Sequence, residues 1–110
     1  MNKKRVLLGS LAASLLAWCA AANAQVDVGA AEALLKKSGC MKCHSVSADK
    51  DGPSFKKTAA KYKGKADAAA TLHSELKSGK MKVDGKDVKH AAFKGSDAEL
   101  KSVVDYILSR

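Results

Sequence analysis

Apolar residues recur at three- and four-residue intervals most regularly at the end of the chain, where Leu100, Val103, Val104, Ile107 and Leu108 fall on one side of a helix. Ser96-Asp97-Ala98-Glu99, just ahead of them, has the form of a capping box, so a helix is expected to start there. Near the other end, Val26 to Ser38 groups Ala30, Ala31, Leu34 and Leu35 at the same spacing, with Lys36 and Lys37 in the last turn and Gly39 as the stop. Between these, Ser54 to Tyr62 is expected to be a short helix after the Gly52-Pro53 turn, and Ala66 to Lys77 a second one closed by Gly79. Lys80 to Gly95 is charged, contains Gly85 and Gly95 and keeps neither a helical nor a strand period, so it reads as an ordered loop or a loop with a helical turn. No segment alternates strictly enough for a sheet. The expected fold class is all-α, with about four helices and connecting loops.

The first residues follow a different pattern. Lys3, Lys4 and Arg5 precede an apolar run from Val6 to Ala22, and Ala22-Asn23-Ala24 is a small-x-small cleavage pattern, so residues 1–24 read as a cleaved signal peptide and 25–110 as the domain. A retained anchor is the competing reading, but the run is short of the roughly 20 apolar residues a span needs. Cys19 follows Leu16-Ala17 as a lipidated cysteine would, yet Trp18 stands where a small residue belongs. Export places the domain in the periplasm, and with no second apolar stretch no stable membrane insertion is expected after cleavage.

Charge then narrows the partners. Three of the 20 basic residues and none of the 11 acidic ones lie before residue 25, which leaves the domain at +6. Such a surface suits nucleic acid, an anionic membrane or an acidic protein. Export and the low aromatic content, 5 %, argue against nucleic acid. Lys56, Lys57, Lys61, Lys63 and Lys65 form a local basic cluster, either a docking face or a solvated helix edge.

A domain this small is marginal on a side-chain core alone and calls for a staple. Only Cys40 and Cys43 remain after cleavage, and a bridge between them would close a loop too small to stabilise much. Cys40-Met41-Lys42-Cys43-His44 instead has the C-x-x-C-H spacing of c-type haem attachment. On one helical turn, positions i, i+3 and i+4 share a side, so both thiols reach the haem vinyl groups while His44 points at the iron. Thioredoxin-like chemistry would need an alternating strand and helix pattern, and zinc would need two further ligands.

The whole domain resembles the class I c-type cytochromes, particularly the small bacterial monohaem kind. The resemblance is carried by CMKCH at 40–44, DGP at 51–53, AAKYKGK at 59–65 and SDAELKSVVDYIL at the end of the chain. It implies a small cytochrome c fold wrapped round one covalent haem c, with the carbonyl of Pro53 accepting a hydrogen bond from His44 and Tyr106 in the contact between the first and last helices. It also implies a second axial ligand in the loop before the last helix, usually a Met. Here that Met is missing and His90 stands about where it would fall, while Met81 lies nine positions earlier. His90 is favoured as the distal iron ligand, with Met81 the alternative and an open sixth site the third possibility. His73, within a helix, is expected to face solvent, and Met41 cannot readily reach the distal side.

No general base or nucleophile constellation stands out, so the chain is expected not to be an enzyme. The function read here is outer-sphere electron transfer by a monomer, between redox proteins with acidic docking surfaces. The alternatives are a haem-based ligand-binding or redox-sensing module with a labile His90, and the electron-entry subunit of a larger complex.

Overall fold

A computed structural model describes residues 26–110; the signal peptide reading lies outside them. Four helices form in the order α1 (Val28–Lys37), α2 (Phe55–Tyr62), α3 (Ala68–Ser78) and α4 (Asp97–Leu108). No helix among the described residues is long and apolar enough to cross a membrane.

Each helix starts or stops where local chemistry asks it to. The Asp27 carboxylate accepts the Ala30 N–H at 3.0 Å at the head of α1, and the Ser54 hydroxyl accepts the Lys57 N–H at 3.1 Å at the head of α2. At α4 the box is reciprocal: Glu99 N–H donates to Ser96 Oγ at 3.1 Å, and Ser96 N–H donates to Glu99 Oε1 at 3.2 Å. These bonds, the Ser96 N–H foremost, hold the Glu99 carboxyl below the usual carboxylate range. A depressed folded value means that Glu99 contributes above its unfolded pKa and loses that contribution as pH falls through the folded one. Ser96→Ala is expected to cost about 1 kcal/mol, lowering the melting temperature by several degrees at neutral pH and less in acid. A variant melting like the parent at both pH values would show that the box adds nothing here.

α4 is the hub, packing against α1, α2 and α3. It supplies Leu100, Val103, Val104, Tyr106 and Ile107 to a core completed by Ala31 and Leu35 of α1, Phe55 of α2, and Ala68 and Leu72 of α3. Tyr106 is fully buried; its hydroxyl donates to Glu32 Oε1 of α1 at 3.1 Å, and its ring meets Phe55 edge-on at 6.3 Å. Burial and the Glu32 carboxylate both push the Tyr106 phenol up.

The fold class is the expected helical one, but the stretch after α3 corrects the expectation of a loop there. Lys80–Val83 (β1) and Lys86–Lys89 (β2) pair antiparallel, Lys80 opposite Lys89 and Met81 opposite Val88. Asp84 at φ 50° and Gly85 at φ 77° make the two-residue turn with positive φ at both positions that suits the twist of a tight hairpin. Met81, Val83 and Val88 share one side, while Lys80, Lys82, Asp87 and Lys89 share the other. The Asp-Gly pair was the available signal. Lysines on the flanking positions masked the alternation, so the fold is mostly helical with one small hairpin.

Candidate functional site

Between α1 and α2 the chain makes one short turn at Cys40–Lys42 rather than a full helix, entered through Gly39. The His44 N–H still reaches the Cys40 carbonyl at 3.0 Å, so positions 40 and 44 keep the i, i+4 relation expected of the motif. Both cysteines are free, Cys40 half-buried against the core and Cys43 exposed. Burial pushes the Cys40 thiol up.

The loop that follows folds back onto this turn. Gly52 N–H donates to the Cys43 carbonyl at 2.8 Å, Phe55 N–H to Ser45 O at 2.9 Å, and Lys56 N–H to Val46 O at 3.1 Å. The Asp49 carboxylate accepts the Ser54 N–H at 2.8 Å and the Lys57 ammonium at 3.0 Å, in that order the causes that hold its pKa down. These ties carry the Pro53 carbonyl to His44, whose Nδ1 lies 2.7 Å from it. A carbonyl only accepts, so Nδ1 carries the proton and the neutral ring keeps its Nε2 lone pair for a metal. Gly52 lies so close that a Cβ there would fall 2.7 Å from Nδ1 and 2.9 Å from Nε2 of His44, with Cε1 closer still. Phe55 stacks on the same ring at 5.6 Å and 22°.

His90 follows directly on β2, and its ring centroid stands 6.0 Å from that of His44 with the planes at 35°. Its Nδ1 is also tied to a backbone carbonyl, Ala91 O at 2.7 Å, so by the same reasoning its Nε2 is the free nitrogen. Two imidazoles each binding a shared metal at about 2.0 Å through Nε2 have centroids roughly 6 Å apart. The two thiols of the motif, two imidazoles at that spacing with Nε2 uncommitted and a glycine that leaves room for one of them together fit a covalently held haem. Met81, by contrast, sits in β1 opposite Val88, half-buried against the helical core. His73 is half-buried on α3 near Asp97, and Met41 packs against the core beside Cys40.

Sequence reasoning missed two residues that shape this site. Gly52 was read only as part of a turn, and Gly79 only as a helix stop. Neither can be found without knowing that His44 and His90 approach them, since their value lies in what a side chain would strike.

Residues 28–110 match the family model described as cytochrome c. The chain is 38 % identical to cytochrome c-552 of Nitrosomonas europaea over 106 residues, covering 96 % of this chain and 97 % of the relative. Among solved structures it is similar to the class 1 cytochrome MtoD of Sideroxydans lithotrophicus, with TM-score 0.69 and 48 % identity over 77 % of this chain and 97 % of that one. It is similar also to wild-type cytochrome c552 of N. europaea, with TM-score 0.62 and 35 % identity over 71 % of this chain and 96 % of that one.

Proposed function

The chain belongs to the cytochrome c family, and from that premise we propose that it is a periplasmic carrier whose haem is joined to Cys40 and Cys43 and ligated by His44 and His90. One covalently bound haem c makes it a monohaem electron carrier rather than an enzyme. The observation that carries the ligand assignment is the 6.0 Å spacing of two imidazoles whose Nδ1 atoms are both committed to carbonyls.

When bound, the haem would supply a one-electron couple, at a lower potential with His44 and His90 as its ligands than with a thioether in place of one imidazole. This chain's own residues hold that couple still. Cys40 and Cys43 fix the macrocycle to the backbone, and Pro53 orients the His44 ring. Hydrogen bonding at Nδ1 raises the basicity of each imidazole toward the metal. A labile His90 would need a segment free to swing; the paired hairpin before it, the His90 N–H bonded to Gly79 O and the Phe93 N–H bonded to Leu76 O favour a permanent ligand instead.

Export is supported by the Lys3-Lys4-Arg5 and Ala22-Asn23-Ala24 patterns, which delimit a signal peptide over 1–24 and a domain over 25–110. An acidic partner for a monomeric carrier is supported by Lys56, Lys57, Lys61, Lys63 and Lys65, all exposed, of which Lys57 is paired with Asp49.

The spectrum of the purified protein in both redox states, beside His90→Ala and Met81→Ala, tests the assignment. The expected result is no sulfur-to-iron charge-transfer band near about 695 nm, with the spin state changed only in His90→Ala. A band lost only in Met81→Ala would replace the imidazole by a thioether and make the protein a higher-potential carrier. In the same preparation, reduction by an acidic redox protein should slow as salt rises; a rate indifferent to salt would remove the lysine docking face.

A further inference from the structure

α3 ends on Gly79, buried and left-handed at φ 73°. Its N–H closes the helix onto the Glu75 carbonyl at 2.9 Å, an ordinary helix ending. Its other contacts belong to the distal segment. The Gly79 carbonyl accepts the His90 N–H at 2.9 Å, and one turn back the Leu76 carbonyl accepts the Phe93 N–H at 2.8 Å. The backbone around His90 is thus bonded to the last turn of α3 at the ligand itself and three residues beyond it. A Cβ on Gly79 would lie 2.5 Å from the His90 carbonyl oxygen and 3.3 Å from the Ala92 nitrogen. Both are backbone atoms, which cannot swing aside as the end of a side chain can.

We propose that Gly79 is a positioning residue for the distal ligand: its carbonyl and its missing Cβ set where His90 stands, and the Leu76 carbonyl is the second tie. This rests on His90 being the distal ligand. The clamp explains how a segment with little apolar burial of its own carries an axial ligand. Val83 and Val88 are 42 % exposed, so the hairpin's own packing is loose. What locates His90 is the register between β2 and the end of a helix that is itself packed on α4. A side chain at position 79 has to push the His90 peptide away from α3, and the imidazole moves with it.

Gly64 supplies the comparison within the same molecule. It too is left-handed, at φ 79°, but no atom lies within 4 Å of the place its Cβ would take. An alanine there strains the backbone without touching anything. At Gly79 the two effects separate by residue type: asparagine tolerates left-handed φ but still carries a Cβ.

The test uses haem-loaded protein carrying Gly79→Ala, Gly79→Asn, Gly64→Ala or His90→Ala, read by carbon monoxide binding to the ferrous form, the electron paramagnetic resonance g-values of the ferric form, and far-ultraviolet circular dichroism. Both Gly79 variants are expected to bind carbon monoxide at least about tenfold faster than the parent with shifted g-values, while Gly64→Ala matches the parent. Restoration of parental behaviour by asparagine would reduce Gly79 to a helix cap and overturn the proposal, as would parental behaviour in both variants. If neither Gly79 variant retains helical structure, Phe93→Pro, which removes the N–H bonded to Leu76, is expected to speed carbon monoxide binding where Phe93→Leu does not; equal behaviour of the two overturns the clamp. His90→Ala separates the two levels: a spectrum unchanged by it removes His90 as ligand and the clamp's role with it, whereas a changed spectrum with parental Gly79 variants removes the clamp alone.

Discussion

With both motif cysteines replaced, Cys40→Ala/Cys43→Ala, the chain is expected to lack a cooperative fold at room temperature. The buried apolar set is small: Leu35, Phe55, Leu72, Leu100, Val103, Val104, Tyr106 and Ile107, with Ala31 and Ala68. At this size the conformational entropy of the chain, roughly 1–2 kcal/mol per residue for the backbone, nearly cancels what such a core contributes. A group that binds the folded state and not the unfolded one adds its binding free energy to stability, and covalent attachment keeps that group present at all times. The two thiols differ in what else they do. Cys40 is half-buried and packs against the core, so its loss also removes packing; Cys43 is exposed, so Cys43→Ala isolates the attachment. The single Cys43→Ala variant is therefore expected to hold its haem by one thioether and melt well below the parent. Thermal melts followed by circular dichroism check both expectations. A sigmoidal transition in the double variant, with native-like helix content, would mean that the side-chain core suffices and that the haem serves electron transfer alone.

Gly52→Ala is expected to be nearly as damaging, for a reason that has nothing to do with backbone strain. Gly52 does not have a positive φ, so alanine suits its backbone. The obstacle is the His44 ring, three atoms of which lie inside 3.0 Å of the new methyl group. Neither partner has an easy retreat. The Gly52 N–H is bonded to Cys43 O at 2.8 Å and its carbonyl accepts the Lys50 N–H at 3.0 Å, while the ring is held by Pro53 on one side and stacked on Phe55. Overpacking of this kind costs about 1–3 kcal/mol, and losing the Pro53 bond adds about 1 kcal/mol. With His44 as the proposed iron ligand, tilting its ring would also change the iron's surroundings, so the reduction potential should move with stability. Gly29→Ala is the control. There the nearest atom is Asp27 Oδ1 at 3.7 Å, and a methyl group in the first turn of α1 should be harmless or slightly stabilising. Potentiometry and thermal melts on the pair decide the matter: a Gly52→Ala protein with the parent's melting temperature and potential would show that the loop over 43–56 yields freely, and that the proximal ring is not held where the structure has it.

What could be read from the chain alone was whatever depends on near neighbours. Helix periodicity in α4, the Ser96–Glu99 box and the relation of Cys40 to His44 are all settled within one or two turns, so the residue types suffice. The resemblance carried by CMKCH, DGP and the final helix named the family, and a match over residues 28–110 agrees with it. The hairpin was half legible. Asp84-Gly85 is a local signal, but which flanking residues pair, and so that Met81 lies opposite Val88, depends on register.

The rest needed the tertiary structure. His44 and His90 stand together only because a turn after α1 and a strand after α3 are both positioned by helices packed on α4. The Tyr106–Glu32 bond across the first and last helices is of the same kind. Gly52 and Gly79 are the clearest cases. Their meaning is an absence of atoms beside a ring and beside a carbonyl that arrive from elsewhere in the chain. Spacing in a sequence encodes which groups one element presents; what another element brings against them is decided by close packing, which has no local signature.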